Sequence, residues 1–296
     1  MREFQYEYGI IGGDRRQGYL AQEFSVAGTS VCGYAIDSIF EKEQSLADNS
    51  VKITLSLAEC LENSNCVIGP IPFGRNNQLF HQSKEPGDIP FQLLLSHLKP
   101  DQYFFAGCIP DGFKAKAAEK GVHIFDLMEE TSLSILNSIA TAEGAICEAI
   151  QKSPLNLHQS RCAVLGYGKC GRTLTEYLQR MFCHVYTVSE IEHERILASL
   201  IADETGTLQD FADCAGTFDF IFNTIPAPVI MKRQLSDMKN SVTIIDIASA
   251  PGGVDFEAAK ELEKKAFLCQ GLPGKYAPYS SAKIIKTVIE RIRKEL

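Results

Sequence analysis

A glycine-rich turn between a buried strand and a helix constrains this chain more than any other feature. The apolar run 162–165 leads directly into the motif G-x-G-x-x-G at residues 166–171. Leu174, Leu178 and Met181 then recur at helical spacing, with polar residues between them. A strand, a glycine turn and a helix in this order are the signature of a dinucleotide-binding βαβ unit. We therefore predict that this stretch binds a dinucleotide cofactor.

Each glycine of the motif has its own role in such a unit. Gly166 permits the tight turn, Gly168 lets the backbone approach a pyrophosphate, and Gly171 lets the helix pack closely on the strand. The helix N-terminus offers unpaired N–H groups and a partial positive charge to the phosphates. A bare structural turn is the alternative, because glycine turns are common. The predicted cofactor site also contains the residues between the glycines: Tyr167, Lys169 and Cys170.

Composition restricts the class of protein. A length of 296 residues suggests about two domains, and 45% hydrophobic with 22% charged residues is ordinary for a globular enzyme. The net charge of −8 argues against a nucleic-acid or anionic-membrane partner. Ten cysteines without a C-x-x-C pair indicate reduced thiols, so we expect no metal site. With no long apolar run and no signal core near Met1, we expect a cytoplasmic protein without a membrane segment.

Strands and helices alternate through the first part of the chain. The stretch 73–90 has little periodicity, and we predict a long loop or a small hairpin there. The alternation predicts an α/β fold with a doubly wound parallel sheet that is covered by helices on both faces. The predicted strands are 8–11, 31–36, 66–72, 102–107 and 122–126, and the predicted helices are 15–24, 55–61, 91–98 and 111–120.

The first of these strands runs into a second glycine turn. Gly12, Gly13 and Asp14 precede a predicted helix that begins with Arg15 and Arg16. A glycine turn at a helix N-terminus with arginines beside it favours an anion-binding site. The alternative is a solvated helix start in which an arginine is only a surface charge.

Residues 131–152 are predicted to form one long helix between two α/β halves. Asn137, Thr141 and Gly144 share one face of it, and a connecting helix would border a ligand cleft. We therefore predict that Asn137 and Thr141 contact a substrate, with a solvated face as the alternative. Large apolar residues mark the side that is predicted to be buried: Leu136, Ile139, Ile146, Cys147 and Ile150.

The second half of the chain again alternates strands with helices. Strands are predicted at 184–188, 218–222, 242–247 and 266–269, whereas 196–210 is poorly patterned. The final helix, 280–296, carries a full apolar stripe and must therefore dock on another part of the protein. These patterns predict a second doubly wound parallel sheet around the glycine motif.

Polar residues at the carboxyl ends of these strands are candidates for cofactor contacts, because that edge faces the ligand in open α/β sheets. Ser189 and Glu190 end the strand after the motif, and Glu190 follows Gly166 by 24 positions, close to the ~20 expected for a ribose-binding acid. His193 and Arg195 lie just beyond and are alternatives that would face a 2′-phosphate. For the remaining candidates, the alternative to a cofactor contact is that they only cap the loops. These are Asn223, Thr224, Ile225 and Pro226 after one strand and Ala248 and Ser249 after another.

Several separate blocks of this sequence, in order from about residue 8 to the C-terminus, resemble the family of dipicolinate synthase A subunits. The blocks are Ile11-Gly12-Gly13-Asp14 with Arg16-Gln17, Asn137-Ser138-Ile139 with Thr141 and Glu143-Gly144, Val164-Leu165-Gly166, Asn223-Thr224-Ile225-Pro226, Asp246 with Ala248-Ser249 and Pro251-Gly252-Gly253, and Gly271-Leu272-Pro273-Gly274 with Ala277-Pro278. The resemblance implies a nicotinamide-dependent enzyme of endospore-forming bacteria, located in the mother cell. It would turn dihydrodipicolinate into dipicolinate together with a separate, flavoprotein-like B subunit.

The resemblance also implies the architecture and the substrate site. A flavodoxin-like domain, 1–130, would be completed by the C-terminal helix 280–296, and 131–279 would hold the connecting helix and a Rossmann domain. A small dicarboxylate substrate calls for Arg16 and for the N–H groups of Gly12 and Gly13. The predicted substrate-binding residues are Gly12, Gly13, Asp14, Arg16, Asn137 and Thr141. The implied cofactor is NADP, or NAD if Glu190 binds the ribose, and a homo-oligomer is possible.

Three positions depart from the family pattern. Glu190 stands where the family commonly has a basic residue, Ala140 replaces a proline, and Tyr279-Ser280-Ser281 replaces a Lys-Thr type of sequence. Two other interpretations stay open at this point. One is a shikimate- or methylenetetrahydrofolate-type dehydrogenase, since N-T-I-P after a Rossmann strand suits that group. The other is a nucleotide-sensing regulatory subunit without catalysis, because no catalytic base is identified.

Overall fold

The chain folds into two compact units, each built on a parallel sheet. The computed structural model describes residues 4–36, 51–83 and 87–296. One unit contains the described residues up to Ser134 together with Ala277–Leu296, and the other contains Ile135–Tyr276. Each unit has one sheet of six strands that all pair in parallel.

The sheet of the first unit has the strand order β3-β2-β1-β4-β7-β8. Without the two-residue edge strand β3, this order corresponds to the flavodoxin-like order 2-1-3-4-5. The strands are β1 Tyr6–Ile11, β2 Val31–Tyr34, β3 Lys52–Ile53, β4 Ser64–Ile68, β5 Gly74–Arg75, β6 Gln78–Leu79, β7 Tyr103–Ala106 and β8 His123–Asp126. Strands β5 and β6 pair with each other as an antiparallel hairpin in the stretch 73–90, of which residues 84–86 lie outside the described residues.

Helices cover both faces of this sheet. They are α1 Arg15–Val26, α2 Leu57–Glu62, α3 Phe91–His97 and α4 Asp111–Glu119. On one face, α1 packs through Leu20, Ala21 and Phe24 against β1. On the other face, Phe91 of α3 and Phe113 of α4 pack with Phe73 and Phe104. The predicted doubly wound parallel sheet is thus confirmed for this unit.

Helix α5, Thr131–Lys152, has the predicted bounds, but its predicted buried side is largely wrong. Leu136, Ile139 and Ile150 are 40–53% exposed, whereas Ile146 is buried. The buried side consists mainly of small residues that enter the core of the second unit: Ala142, Ala145 and Ala149. Small side chains let the helix approach its neighbours closely, so the large apolar residues are a poor guide to the buried face here.

Among the helices of the described residues, α5 is also long and apolar enough to cross a membrane, by length and composition only. Half of its apolar stretch is buried inside the protein. Core helices of globular proteins have the same composition, and α5 supplies three alanines to a hydrophobic core. We therefore interpret α5 as a core helix.

The sheet of the second unit has the order β11-β10-β9-β12-β13-β14, which is the Rossmann order 3-2-1-4-5-6. Its strands are β9 Arg161–Leu165, β10 His184–Val188, β11 Glu204–Gly206, β12 Phe220–Asn223, β13 Thr243–Asp246 and β14 Lys265–Leu268. Its helices are α6 Lys169–Arg180, α7 Glu192–Ala198, α8 Leu208–Cys214, α9 Lys232–Asp237, α10 Phe256–Glu261 and α11 Leu272–Tyr276, with a 3₁₀ turn at Ala215–Thr217. The predicted Rossmann fold is confirmed, and β9 at its centre carries the glycine motif.

The C-terminal helix α12, Pro278–Glu295, belongs to the first unit. Ile285, Val288 and Ile289 are buried in the same core as Leu20 and Phe24 of α1. Near its C-terminal end, the helix forms ion pairs with the rest of the unit, between Arg291 and Glu130 and between Arg293 and Glu7. The prediction that this helix packs back on the first domain is confirmed.

Candidate functional site

The turn between β9 and α6 is shaped by two glycines that packing requires. A Cβ at Gly171 would lie 2.0 Å from the carbonyl oxygen of Gly166, so only glycine lets α6 approach the end of β9. Gly166 itself has a positive φ of 95°, and a Cβ there would lie 2.4 Å from Oγ1 of Thr224. The Thr224 hydroxyl donates to the carbonyl of Leu165 at 2.9 Å, which joins this turn to the end of β12.

Gly168 differs from both of its neighbours in the motif. Its φ of −68° is accessible to any residue, and a Cβ there would meet no atom of the described protein within 4 Å. Gly168 is the N-cap of the 12-residue helix α6, and no side chain caps that helix. The open space lies where phosphates bind at the start of a Rossmann helix. The turn therefore fits a dinucleotide pyrophosphate.

Helix α5 brings the predicted substrate residue Thr141 beside the glycine motif, within the second unit. Burial raises the pKa of the Cys170 thiol, and a hydrogen bond with the Thr141 hydroxyl offsets part of that rise. The Thr141 hydroxyl donates to the carbonyl of Asn137 at 2.9 Å. Burial likewise raises the pKa of Tyr167 within the motif. Thr141 and Cys170 are thus neighbours although 29 positions separate them in the sequence.

The polar atoms of the Asn223 side chain form hydrogen bonds within the protein. It is fully buried, and its amide nitrogen donates to Oδ1 of Asp246 at 2.9 Å and to the carbonyl of Ile225 at 3.0 Å. Its amide oxygen accepts the N–H of Ile225 at 3.1 Å. The side chain therefore holds the loop that contains Ile225 and Pro226, and it is not exposed to a ligand.

Asp246 shapes the site although it was not among the predicted site residues. Its fully buried carboxylate accepts hydrogen bonds from Asn223, from the N–H of Ala248 at 3.0 Å and from the N–H of Gly253 at 2.7 Å. These bonds fix the loop after β13, in which Ala248 is buried and Ser249 is exposed. An aspartate that ends a buried strand before a run of small residues was the signal for this role.

The loop after β10 is held by its own polar side chains. The Ser189 hydroxyl donates to Oε2 of Glu194 at 2.5 Å, and the Arg195 guanidinium donates to the carbonyl of Ser189 at 2.7 Å. Glu190 is exposed, and its Oε1 accepts the N–H of Leu208 at the start of α8 at 2.7 Å. Ser189, a predicted cofactor contact, and Arg195, which was expected as an alternative to face a 2′-phosphate, are thus already engaged within the protein, whereas His193 is exposed.

The predicted role of the Gly12 and Gly13 N–H groups requires a correction. The N–H of Gly12 donates to the carbonyl of Tyr34 at 2.9 Å, and the N–H of Gly13 donates to the carbonyl of Phe80 at 2.7 Å. Both donors are satisfied by the neighbouring strand and by the segment after the hairpin. They are therefore unavailable to a substrate carboxylate in this structure, although both glycines have the positive φ values that the turn requires.

Asp14 and Arg16 form a buried pair, so the surface-charge alternative for Arg16 is wrong. Nε of Arg16 donates to Oδ1 of Asp14 at 2.9 Å, and Nη2 donates to Oδ2 at 2.8 Å. Nη2 also donates to the carbonyl of Ile71. Asp14 in addition caps α1 by accepting the N–H of Arg16 at 3.0 Å. Both side chains are less than one-tenth exposed, and each neutralises the charge of the other.

Glu148 links α5 to α11 in the second unit. Its buried carboxylate accepts hydrogen bonds from Lys275 at 2.5 Å and from Tyr276 at 2.7 Å, and it pairs with Lys152 at 3.2 Å. Burial raises the pKa of Glu148, but these three partners outweigh burial and lower the pKa to about 2. A Cβ at Gly144, one turn earlier, would collide with Leu272 at 2.8 Å. This cluster sets the position of α5 beside the glycine motif.

No metal-binding arrangement is present in the part of the chain that the structure describes. No group of three His, Cys, Asp or Glu side chains in the ranges 4–36, 51–83 and 87–296 is placed to hold an ion. All ten cysteines are free thiols, and most of them are buried.

Comparison with known proteins identifies the class of the two units. Residues 137–266 match the family model of the D-isomer specific 2-hydroxyacid dehydrogenase NAD binding domain. Together with the Rossmann order and the open glycine turn, this match supports NAD(P) binding by the second unit. Residues 7–128 match the family model of the N-terminal domain of the dipicolinate synthase A subunit. The predicted resemblance to that family is thereby confirmed.

Individual relatives agree with the family models. The A subunit of dipicolinate synthase from Bacillus subtilis (strain 168) is 32% identical over 196 residues, which span 63% of this chain and only 62% of that relative. The crystal structure of the dipicolinate synthase A subunit from Bacillus halodurans has a TM-score of 0.83 at 23% identity and covers 98% of this chain and 99% of its own. The A chain from Bacillus subtilis has a TM-score of 0.81 at 23% identity, with coverages of 100% and 97%. The two structures support the fold.

Gly168→Asp should weaken cofactor binding without loss of folding. Asp is a better N-cap than glycine, and its Cβ meets no protein atom, so the melting temperature should stay equal or rise. A carboxylate about 4 Å from a pyrophosphate costs on the order of 1–4 kcal/mol, which weakens binding by about tenfold or more. Titration of NADH and NADPH by fluorescence measures the effect. Gly168→Asn is the uncharged control of similar shape and should weaken binding less, and unchanged affinity in a folded Gly168→Asp variant would contradict the assignment.

Glu148→Gln should destabilise the protein in a pH-dependent way. The folded pKa of about 2 lies below the ordinary 4.5, so the charge contributes stability above pH 4.5 that is lost as the pH falls towards 2. The shift corresponds to a loss on the order of 3 kcal/mol at neutral pH. Urea unfolding from pH 7 down to the lowest pH at which both proteins stay folded should show this difference shrinking. Glu143→Gln, exposed on the same helix, is the control, and a difference that does not change with pH would refute the role of the charge.

Proposed function

We propose that this chain is the A subunit of an NAD(P)-dependent dipicolinate synthase. It would oxidise dihydrodipicolinate to dipicolinate together with a separate B subunit, in the cytoplasm of a sporulating mother cell. The observation that carries the proposal is the combination of two matches in one chain. The N-terminal family model is specific to dipicolinate synthase, and the second unit has the fold and the open turn of an NAD-binding domain. The relative from Bacillus subtilis supports the same assignment.

The proposed cofactor site is the carboxyl edge of the second sheet. The pyrophosphate binds the turn 166–171 at the N-terminus of α6, where Gly168 leaves space. Bound there, the nicotinamide supplies the hydride acceptor for the oxidation. Asn223 and Asp246 act by holding the two loops from which the remaining contacts come. The proposed contacts are Ser189 and Glu190 at the ribose and Thr224, Ile225, Pro226, Ala248 and Ser249 towards the nicotinamide.

We propose that the predicted substrate-binding residues have different roles. Thr141 on α5 lies beside Cys170 of the glycine motif, and Asn137 is one turn earlier on the same helix, which supports a substrate position next to the cofactor. Arg16 uses Nε and Nη2 for Asp14 and Ile71, and Nη1 has no hydrogen-bond partner among the described residues. We assign Nη1 of Arg16 to one carboxylate of the substrate, with Asp14 as the group that orients the guanidinium. Gly12 and Gly13 would shape the turn without donating to the substrate.

The chemistry suits a site without a metal or a nucleophile. The dihydropyridine ring of the substrate loses a hydride to the nicotinamide and a proton to a base, and it becomes aromatic. The gain of aromaticity drives the step, so the protein has only to position the two rings and to bind the two carboxylates. The base is not assigned to a residue.

One assay tests the proposed reaction. The purified chain is mixed with dihydrodipicolinate and NAD or NADP, with and without the B subunit, and both reduced nicotinamide and dipicolinate are measured. We expect equal amounts of the two products. Shikimate and methylenetetrahydrofolate serve as alternative substrates, and turnover of either in place of dihydrodipicolinate would refute the proposal. Cofactor binding without turnover of any substrate, in the presence of the B subunit, would instead favour the nucleotide-sensing role.

We propose that Glu190 makes NAD the better cofactor. Its carboxylate is anchored to the N–H of Leu208, and Ser189 and Arg195 are engaged elsewhere, so a 2′-phosphate would meet a negative charge that, of the groups expected there, only the exposed His193 is left to offset. Glu190→Gln keeps the acceptor for Leu208 and removes the charge. The wild type should prefer NAD in kcat/KM by about tenfold, as like charges at a partly exposed site imply. Glu190→Gln should lose most of that preference, and a wild type that prefers NADP would overturn the assignment.

A further inference from the structure

A cavity in the first unit contains none of the residues assigned above to cofactor or substrate. Its volume is about 420 Å³, within the range of pockets that bind small molecules. Three elements surround it, namely the hairpin β5–β6 and the first turns of α3 and α4. The residues that matter for its chemistry are Asn77, Gln78, Phe91, Gly112, Phe113 and Lys116.

One wall of the cavity is aromatic and well packed. Phe91 and Phe113 are both less than one-tenth exposed, and their ring centroids are 5.6 Å apart. Phe73 lies behind them, stacked on Phe91 at 4.5 Å and edge-on to Phe113 at 4.8 Å. The rings are therefore held in place before any ligand binds. A preformed aromatic wall favours a ligand with a ring or another apolar body.

Two polar groups of residues that line the cavity have no partner among the described residues. Oε1 of Gln78 is buried and has no hydrogen-bond partner within the described part of the chain, and an unsatisfied buried amide oxygen is unfavourable. This oxygen is an acceptor with almost no accessible surface, so it does not contribute to the binding of a carboxylate. Lys116 is exposed and forms no ion pair with any described residue, whereas Lys114 on the same helix pairs with Asp126 and Glu129. An unpaired cation beside an aromatic wall matches a carboxylate attached to a ring.

We propose that this cavity binds a small ring-bearing carboxylate. The ring packs against Phe91 and Phe113, and the carboxylate is bound by the Lys116 ammonium. Because all lining residues belong to the first unit, the site is independent of the NAD(P)-binding turn and of the proposed reaction. A failure of one proposal therefore leaves the other intact.

Benzoate is the probe for this site, and benzamide is its neutral counterpart of the same shape. Calorimetric titration of the full chain should show saturable binding of benzoate, about tenfold tighter than that of benzamide, because a hydrogen bond between charged groups is the stronger one. Equal binding of the two compounds would overturn the choice of a carboxylate. Absence of saturable benzoate binding would overturn the site.

Variants separate this cavity from other places where benzoate binds. Gly112→Leu fills it without a clash, since a Cβ at Gly112 meets no protein atom within 4 Å, and leucine is a better helix residue than glycine. We expect loss of benzoate binding with an unchanged melting temperature and unchanged NADH affinity. Lys116→Met should weaken benzoate by about tenfold and leave benzamide unchanged. Lys260→Met, an exposed lysine on α10, is the matched control.

The outcomes are unambiguous. Loss of benzoate binding in Gly112→Leu, together with weakening in Lys116→Met and none in Lys260→Met, supports the proposal. Binding that persists in both cavity variants would refute it, because the ligand would then be bound elsewhere. If Gly112→Leu fails to fold, Lys116→Met decides the question alone, since its methylene stem keeps the packing of the lysine.

Discussion

The close approach of α6 to the end of β9 is the contact on which the site of the second unit depends. Gly171 lies so near the carbonyl of Gly166 that a single methyl group would separate helix and strand. That approach places the N-terminus of α6 at the carboxyl edge of the sheet, where the loops after β10, β12 and β13 also begin. Thr224 closes the arrangement by packing on the same turn and bonding to Leu165. The geometry for phosphates is therefore a consequence of backbone packing, and a side chain is not needed to create it.

The buried polar groups at the sheet edges divide the candidate residues into those that hold loops and those that are left for a ligand. A buried amide or carboxylate has to be satisfied, and it takes the nearest donors and acceptors. Asn223 and Asp246 satisfy each other and the N–H groups of two loops, and Asp14 and Arg16 do the same in the first unit. What stays available is mostly backbone and exposed side chains. Polar residues at a strand end can thus contribute to a site by fixing a loop, without contacting a ligand.

The regular parts of the fold could be predicted from the sequence, because their signals are local. The spacing of apolar residues predicted α5 with both of its bounds, and the glycine motif predicted the central βαβ unit. Helix α7, strand β11 and helix α8 were missed, since they are short and Ile196 and Leu200 face solvent. The buried face of α5 was missed because alanines form it. The bonds of Arg16 to Ile71 and of Asn223 to Asp246 join residues 55 and 23 positions apart, and no pattern along the chain reveals such partners.

When the hairpin strands β5 and β6 are not counted, the two six-stranded sheets have the same strand order, 3-2-1-4-5-6. Their glycine turns nevertheless differ, because only the turn of the second unit has open space beside it. In the first unit the segment after the hairpin β5–β6 accepts a hydrogen bond from the N–H of Gly13, and β2 accepts one from the N–H of Gly12. The carboxylate of Asp14 caps the N-terminus of α1. The anion that a helix start would bind is therefore already present as a side chain. In the second unit no hairpin follows the corresponding strand, and α6 has glycine at its N-cap and no side-chain cap. The same architecture thus yields a closed turn in one unit and an open turn in the other, and the difference depends on whether the chain supplies its own anion at the start of the helix.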